Sequence, residues 1–211
     1  MLGAHQDLFG QVQIVPFVEE IAVGSNRLGL WQIDGSEARF ERDFPLLAAE
    51  LSVRHPRTQL QRYASRLLLA EMLGEMPEVS KDEHGKPLLP HHSLELSISH
   101  TEGYAAILLG TGKLGVDVQR YKPNVMKVRD RFLDDNELEM AQDVETTTLF
   151  WAAKEAVYKY NAKPGLDFRD PITIHSIEDS ILPTSFVFEG LKTELSLGWR
   201  KLDGAILVWA V

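Results

Sequence analysis

Twice along its 211 residues the chain runs through one order of patterns: an amphipathic helix, a Pro/Gly turn, then alternating strands ending in Ala-Ile-Leu, at Ala106-Ile107-Leu108 and at Ala205-Ile206-Leu207. Each helix must bury its apolar stripe against a sheet, which makes the chain an α+β protein. The first helix is predicted from about Arg57 to Leu73. Leu60, Tyr63, Ala64, Leu67 and Leu68 keep the i, i+3, i+4, i+7, i+8 spacing of one buried face, and Gly74 is a natural stop. The second is predicted from Thr147 to Tyr160, with Phe150, Ala153, Val157 and Tyr160 on one stripe, and Asp134-Asp135-Asn136-Glu137 before it reads as a capping box. Early strands are expected around Val12 to Phe17 and Gly29 to Ile33. Leu94 to Ser99 (a half-buried alternation of apolar and polar residues), Tyr104 to Leu109 and Leu114 to Val118 are expected to form an antiparallel meander. Later strands are expected at Ile172 to Ile177, Ser185 to Glu189, Thr193 to Trp199 and Ala205 to Val211. The repeated order implies two related halves, 1–112 and 113–211, with the cleft between them the natural place for a ligand.

Charge and composition narrow the partners. With 22 Lys+Arg against 31 Asp+Glu the net charge is −9, which argues against a general nucleic-acid binder. Cysteine is absent, so disulfides, thiolate metal sites and cysteine nucleophiles are excluded. Uninterrupted apolar runs reach seven residues, as in Ala205 to Val211, whereas a membrane span needs about 20. With no basic start and apolar core of a signal peptide, a soluble cytoplasmic protein is expected. Leu51 to Ala70 departs from the acidic average: it holds Arg54, Arg57, Arg62 and Arg66 and no acid. This strip reads either as a solvated helix face or as an anion site.

Two segments hold the candidate chemistry. In Leu114-Gly115-Val116-Asp117-Val118-Gln119, alternation puts Asp117 and Gln119 on one face and Val116 and Val118 on the other. An acid inside a β-branched strand is costly to bury without a partner, so this is either an exposed edge or a site. In Phe150-Trp151-Ala152-Ala153-Lys154-Glu155-Ala156-Val157-Tyr158-Lys159, the residues Trp151, Glu155 and Lys159 share a helix face, which by itself fits a plain Glu-to-Lys helix pair.

About 30 residues apart, these two segments together resemble the signature of the 4′-phosphopantetheinyl transferases, Gly-Val/Ile-Asp followed by Trp-x-x-Lys-Glu-x-x-x-Lys on a helix. Ser65-Arg66-Leu67-Leu68-Leu69, His84-Gly85-Lys86-Pro87 and Ser97-Ile98-Ser99-His100 are similar to further landmarks of the longer, surfactin-synthetase-activating branch. The resemblance implies a pseudo-dimer of two similar halves with the active site between them. It implies transfer of the 4′-phosphopantetheine arm from coenzyme A to a serine of an apo acyl or peptidyl carrier protein, with release of 3′,5′-ADP. It also implies an Mg²⁺ ion, whose hard-oxygen preference one or two carboxylates satisfy.

Carried over residue by residue, the resemblance makes Asp117 and Glu155 the Mg²⁺ ligands, Glu155 also the general base for the carrier serine, and Lys159 the holder of the pyrophosphate. Lys154 is left to pair with an acid on the surface. Arg66, Lys86 and His100 would bind the nucleotide end, chiefly its 3′-phosphate. Ser99 would contact phosphate or ribose, and Arg54 falls near a further basic position by its distance from Arg66. Gln119 stands where many members carry a second acid, and could reach the metal through its amide oxygen or hold a metal-bound water. That departure favours the alternative of a non-catalytic coenzyme A or carrier-protein binding module. A different metal-dependent phosphotransferase would share the carboxylates but not the Gly-Lys-Pro and Ser-His landmarks. The carrier could serve fatty-acid, polyketide or nonribosomal peptide synthesis, and two halves in one chain make a monomer sufficient.

Overall fold

The computed structural model describes residues 18–35 and 39–211, so the strand expected at Val12 to Phe17 lies outside the described residues. The chain runs through β1 (Val18–Val23), β2 (Asn26–Gln32), α1 (Phe40–Asp43), α2 (Pro45–Leu51), α3 (Pro56–Leu73), β3 (Ser80–Lys81), β4 (Pro87–Leu88), β5 (Glu95–Thr101) and β6 (Tyr104–Gly110). It continues through β7 (Gly115–Arg120), α4 (Asp135–Met140), α5 (Val144–Asn161), β8 (Ile172–Ile174), β9 (Ile181–Phe188), β10 (Leu191–Leu202) and β11 (Ala205–Ala210). The first sheet has the order β1-β2-β6-β5, the second β7-β11-β10-β9-β8, and β3 pairs with β4. In both large sheets a strand, then a helix, then a hairpin follow one another, and the hairpin's last strand returns beside the first: β2, α3, β5-β6 and β7, α5, β10-β11. Among the described residues no helix is long and apolar enough to cross a membrane.

Period-2 patterning stacks these elements into four layers. Tyr63, Ala64, Leu67 and Leu68 of α3 pack on Ala105, Ile107 and Leu109 of β6. The alternate residues Tyr104, Ala106 and Leu108 turn the other way and, with Leu28 and Leu30, meet Val116, Val118, Ala205 and Leu207 of the second sheet. The far face of that sheet, Ile206, Val208 and Ala210, lies under Phe150, Ala153 and Val157 of α5. Both long helices form where the apolar spacing places them, and α3 ends at Gly74 in the left-handed region, φ 78°. The capping box at α4 also forms, with Glu137 N–H donating to Asp134 and Asp134 N–H to Glu137.

Three expectations need correction. The meander does not continue into β7: β2 and β5 occupy both edges of β6, and the chain turns at Gly112 (φ 81°) to pair β7 with β11 instead. The polar face of β5 is not its wet face. Ser97, Ser99 and Thr101 are buried because their hydroxyls accept the backbone N–H groups of Val116, Val118 and Arg120 at 3.0, 3.1 and 3.4 Å. Lys154, expected at the surface, is wholly buried against the equally buried Glu137.

The geometry of that pair explains its burial. Lys154 Nζ donates to Glu137 Oε2 at 2.6 Å, to Phe168 O at 2.8 Å and to Ile172 O at 2.7 Å, with Arg169 O at 3.3 Å. Glu137 in turn accepts from Asp134 N and, at 2.8 Å, from Ile174 N. Burial alone pushes the Glu137 carboxyl up and the Lys154 ammonium down, while the contact between them opposes both shifts. With all three ammonium protons placed on acceptors, the pair clamps α4, α5 and the start of β8 together. Removing one partner strands a buried charge, so Lys154→Ala should lose about 3–5 kcal/mol of stability in a urea titration. A loss below about 1 kcal/mol, the worth of an exposed pair, would contradict this account.

Candidate functional site

A cavity of about 670 Å³ opens where the two large sheets and their helices converge. Arg62 and Arg66 line it from α3, Ser99 and His100 from the end of β5, Asp117 and Gln119 from β7, and Lys159 from α5. A glycine fixes one wall. A Cβ on Gly115 would sit 1.9 Å from Ala156 O, so only glycine lets the backbone of α5 rest directly on β7. That approach puts Lys159 Nζ 2.7 Å from Asp117 Oδ1 and 2.8 Å from Val116 O.

Asp117 is 2% exposed, and its burial is fully compensated. Oδ1 also accepts the Ser99 hydroxyl at 2.7 Å, and Oδ2 accepts the Gln119 amide at 2.9 Å. Asp117 and Gln119 thus share a face, as alternation predicts. Glu155 stands one helical turn before Lys159, half-buried beside the cavity lining, and makes no hydrogen bond among the described residues. Burial first, and the Asp117 charge second, raise its pKa above the usual carboxylate value, with Lys159 pulling the other way. The Asp117 charge beside Glu155 is one that a cation would offset. The donor set is small, since among the described residues no group of three His, Cys, Asp or Glu side chains is placed to hold a metal ion. Two carboxylate oxygens and an amide still fit Mg²⁺, which keeps several waters.

The basic side of the cavity comes from the arginine strip, which divides by helix face. Arg62 and Arg66, four residues apart, both reach the wall. Arg66 is buried, and its Nη1 has no partner. Burial lowers its pKa and Glu50 opposes the shift, but a guanidinium stays charged, so the cavity wall carries a cation with one unpaired buried donor. Arg57 is exposed against Glu102, and Arg54 is exposed outside the lining. His100 stands exposed at the cavity mouth; the crowding around it, then the Lys159 and Arg62 charges, lower its pKa against the pull of its own backbone and of Asp117.

Lys86 borders a second cavity of about 250 Å³ that shares Gly85, Pro87, Ile98 and Lys159 with the first. Its Nζ lies 2.6 Å from Glu95 Oε2. The Gly85-Lys86 turn is held by Asp82, whose Oδ1 accepts the backbone N–H of His84 at 2.9 Å and of Lys86 at 2.8 Å. Asp82 was not a candidate from sequence, although Asp opening a Gly-containing turn is its usual signal. Glu50 and Arg62 also line the cavity without having been assigned a role. Arg62 was legible as the residue one turn before Arg66.

Residues 113–203 match the family model of the 4′-phosphopantetheinyl transferase superfamily. The match covers Asp117, Gln119, Glu155 and Lys159; Arg62, Arg66, Ser99 and His100 lie before it. No curated protein matches the chain.

The raised Glu155 pKa carries a stability consequence. A carboxyl whose folded pKa exceeds its unfolded value costs nothing when protonated in both states. It destabilises the fold increasingly as pH rises from its unfolded to its folded pKa, and fully above that. Without divalent cation, Glu155→Gln should therefore melt higher than wild type at neutral pH. The gap should close as pH falls through the ordinary carboxylate range. A variant that melts lower at neutral pH would show the ionised carboxylate to be stabilised in the fold.

Proposed function

We propose that the matched region, residues 113–203, together with the cavity wall from α3 and β5, transfers 4′-phosphopantetheine from coenzyme A to a serine of an apo carrier protein. One observation carries the reading. Arg66, whose guanidinium holds one buried nitrogen without a partner, and the Asp117–Lys159 pair line a single cavity, which suits a ligand carrying separated phosphate groups. The shared strand-helix-hairpin order of the two sheets supports a pseudo-dimer, dividing near residue 112, and the surfactin-synthetase-activating branch. A monomer suffices, because both sides of the site come from one chain.

In this reading Arg66 and His100, with Lys86 released from Glu95, receive the 3′-phosphate, and Ser99 forms part of the same wall. Asp117 and Glu155, with Gln119 beside them, would hold Mg²⁺, which offsets the pyrophosphate charge. Lys159 turns its ammonium toward the pyrophosphate. Glu155, which makes no hydrogen bond among the described residues, takes the proton of the carrier serine. The serine oxygen bonds to the phosphorus that bears pantetheine, the phosphoanhydride bond breaks, and 3′,5′-ADP leaves. The carrier is one of fatty-acid, polyketide or nonribosomal peptide synthesis, met in the cytoplasm.

The amide at Gln119 favours one competing reading, a module that binds coenzyme A or a carrier without reacting. Incubation with coenzyme A, Mg²⁺ and an apo carrier, followed by weighing the carrier, separates the two: transfer adds one phosphopantetheine mass. Glu155→Gln should keep coenzyme A affinity and lose about 10²–10⁴-fold in turnover, the usual cost of a general base. A variant turning over at the wild-type rate would remove Glu155 from that role.

The nucleotide side has its own test. Charge-assisted hydrogen bonds are worth roughly 1.5–3 kcal/mol, so Arg66→Ala and His100→Ala should each weaken coenzyme A binding about tenfold or more. Dephospho-coenzyme A, lacking the 3′-phosphate, should bind both variants nearly as it binds wild type. Equal losses for both ligands would move the 3′-phosphate elsewhere.

A further inference from the structure

Among the three β5 hydroxyls that accept β7 N–H groups, Ser99 alone also donates to a side chain of the site. We propose that Ser99 is a positioning residue that fixes the Asp117 carboxylate, and that its hydroxyl is not a contact of the donor's phosphates. The inference rests on the proposed function, in which Asp117 is a metal ligand.

A serine hydroxyl has one proton to give. Here it goes to Asp117 Oδ1 at 2.7 Å, while the oxygen accepts Val118 N–H at 3.1 Å. Ser99 lines the cavity but is only 7% exposed, and its hydroxyl is committed on both sides. Asp117 Oδ1 has a second donor, Lys159, and Oδ2 has Gln119. Once Lys159 turns to a phosphate, Ser99 is the donor left on Oδ1. It is also the one anchored to a neighbouring strand, and so resists rotation of the carboxylate about its own side chain. Groups that orient a metal ligand in this way typically govern metal affinity by 10- to 100-fold.

Ser97 provides the control. It makes the equivalent bond to Val116 N at 3.0 Å but does not reach Asp117. Mn²⁺ would be titrated into the full chain with coenzyme A present, reading free ion by electron paramagnetic resonance. Wild type, Ser99→Ala, Ser97→Ala and Asp117→Asn would be compared. Ser99→Ala should weaken Mn²⁺ binding roughly tenfold or more, whereas Ser97→Ala should stay within about twofold although both lose a sheet-joining bond. Ser99→Cys, similar in size but a poor donor, should follow Ser99→Ala and serves if the alanine variant does not fold. Ser99→Thr should restore binding.

Unchanged Mn²⁺ affinity in Ser99→Ala or Ser99→Cys would overturn the proposal, as would an equal loss in Ser97→Ala. A loss that disappears with dephospho-coenzyme A would also overturn it, because Ser99 would then be touching the 3′-phosphate. In all three cases Asp117-dependent binding by wild type leaves the proposed function standing. Wild type that binds Mn²⁺ no better than Asp117→Asn would overturn both.

Discussion

The backbone N–H groups of Val116, Val118 and Arg120 lie on the open edge of the second sheet, and an edge strand must find acceptors or remain exposed to other chains. They find the side-chain hydroxyls of Ser97, Ser99 and Thr101 on the edge strand of the first sheet. Because acceptors and donors both recur every second residue, the two sheets are joined in a fixed register without merging into one. A slip of one residue would bring Ile98 against those N–H groups and turn the hydroxyls away. The same register puts Val116 and Val118 into the core between the sheets and turns Asp117 toward α5.

Lys154 and Lys159, five residues apart on α5, use burial in opposite ways. Lys154 is locked, fully enclosed with every proton on an acceptor, and sets the distance between α5 and the chain that follows it. Lys159 keeps 27% of its side chain exposed while holding a carboxylate that is nearly sealed. Its ammonium is therefore open to the cavity, whereas that of Lys154 is not. The missing Cβ at Gly115 brings this ammonium within reach of β7, since any other residue there would lift α5 away.

What was legible in the sequence was local. The stripes of α3 and α5, the left-handed stop at Gly74, the capping box and the common face of Asp117 and Gln119 all follow from spacings within a few residues. What was not legible depends on partners far along the chain. β1 escaped notice because Glu19 and Glu20 interrupt its apolar pattern; Glu19 is matched by Arg200, at 2.6 and 2.7 Å, and Glu20 by Arg27. The burial of Ser97, Ser99 and Thr101 requires knowing that β7 runs alongside, and the burial of Lys154 requires Glu137 and three carbonyls from a later loop. Arg66 was marked by charge alone, but that one of its nitrogens lacks a partner is visible only in three dimensions.

The pairing of β7 with β11 joins Arg120 to Ala205 and Gly115 to Ala210, across most of the second half of the chain. The β10–β11 hairpin turns within two residues, between Leu202 and Ala205. Closing a long loop costs more entropy than closing a tight turn, so the hairpin has the kinetic advantage and β7 is the strand captured late. Until that capture, Asp117 can meet Ser99 and Lys159, 18 and 42 residues away, but the strand that carries it has no partner on its other edge, so the surroundings of the site are complete only once the chain extends through β11.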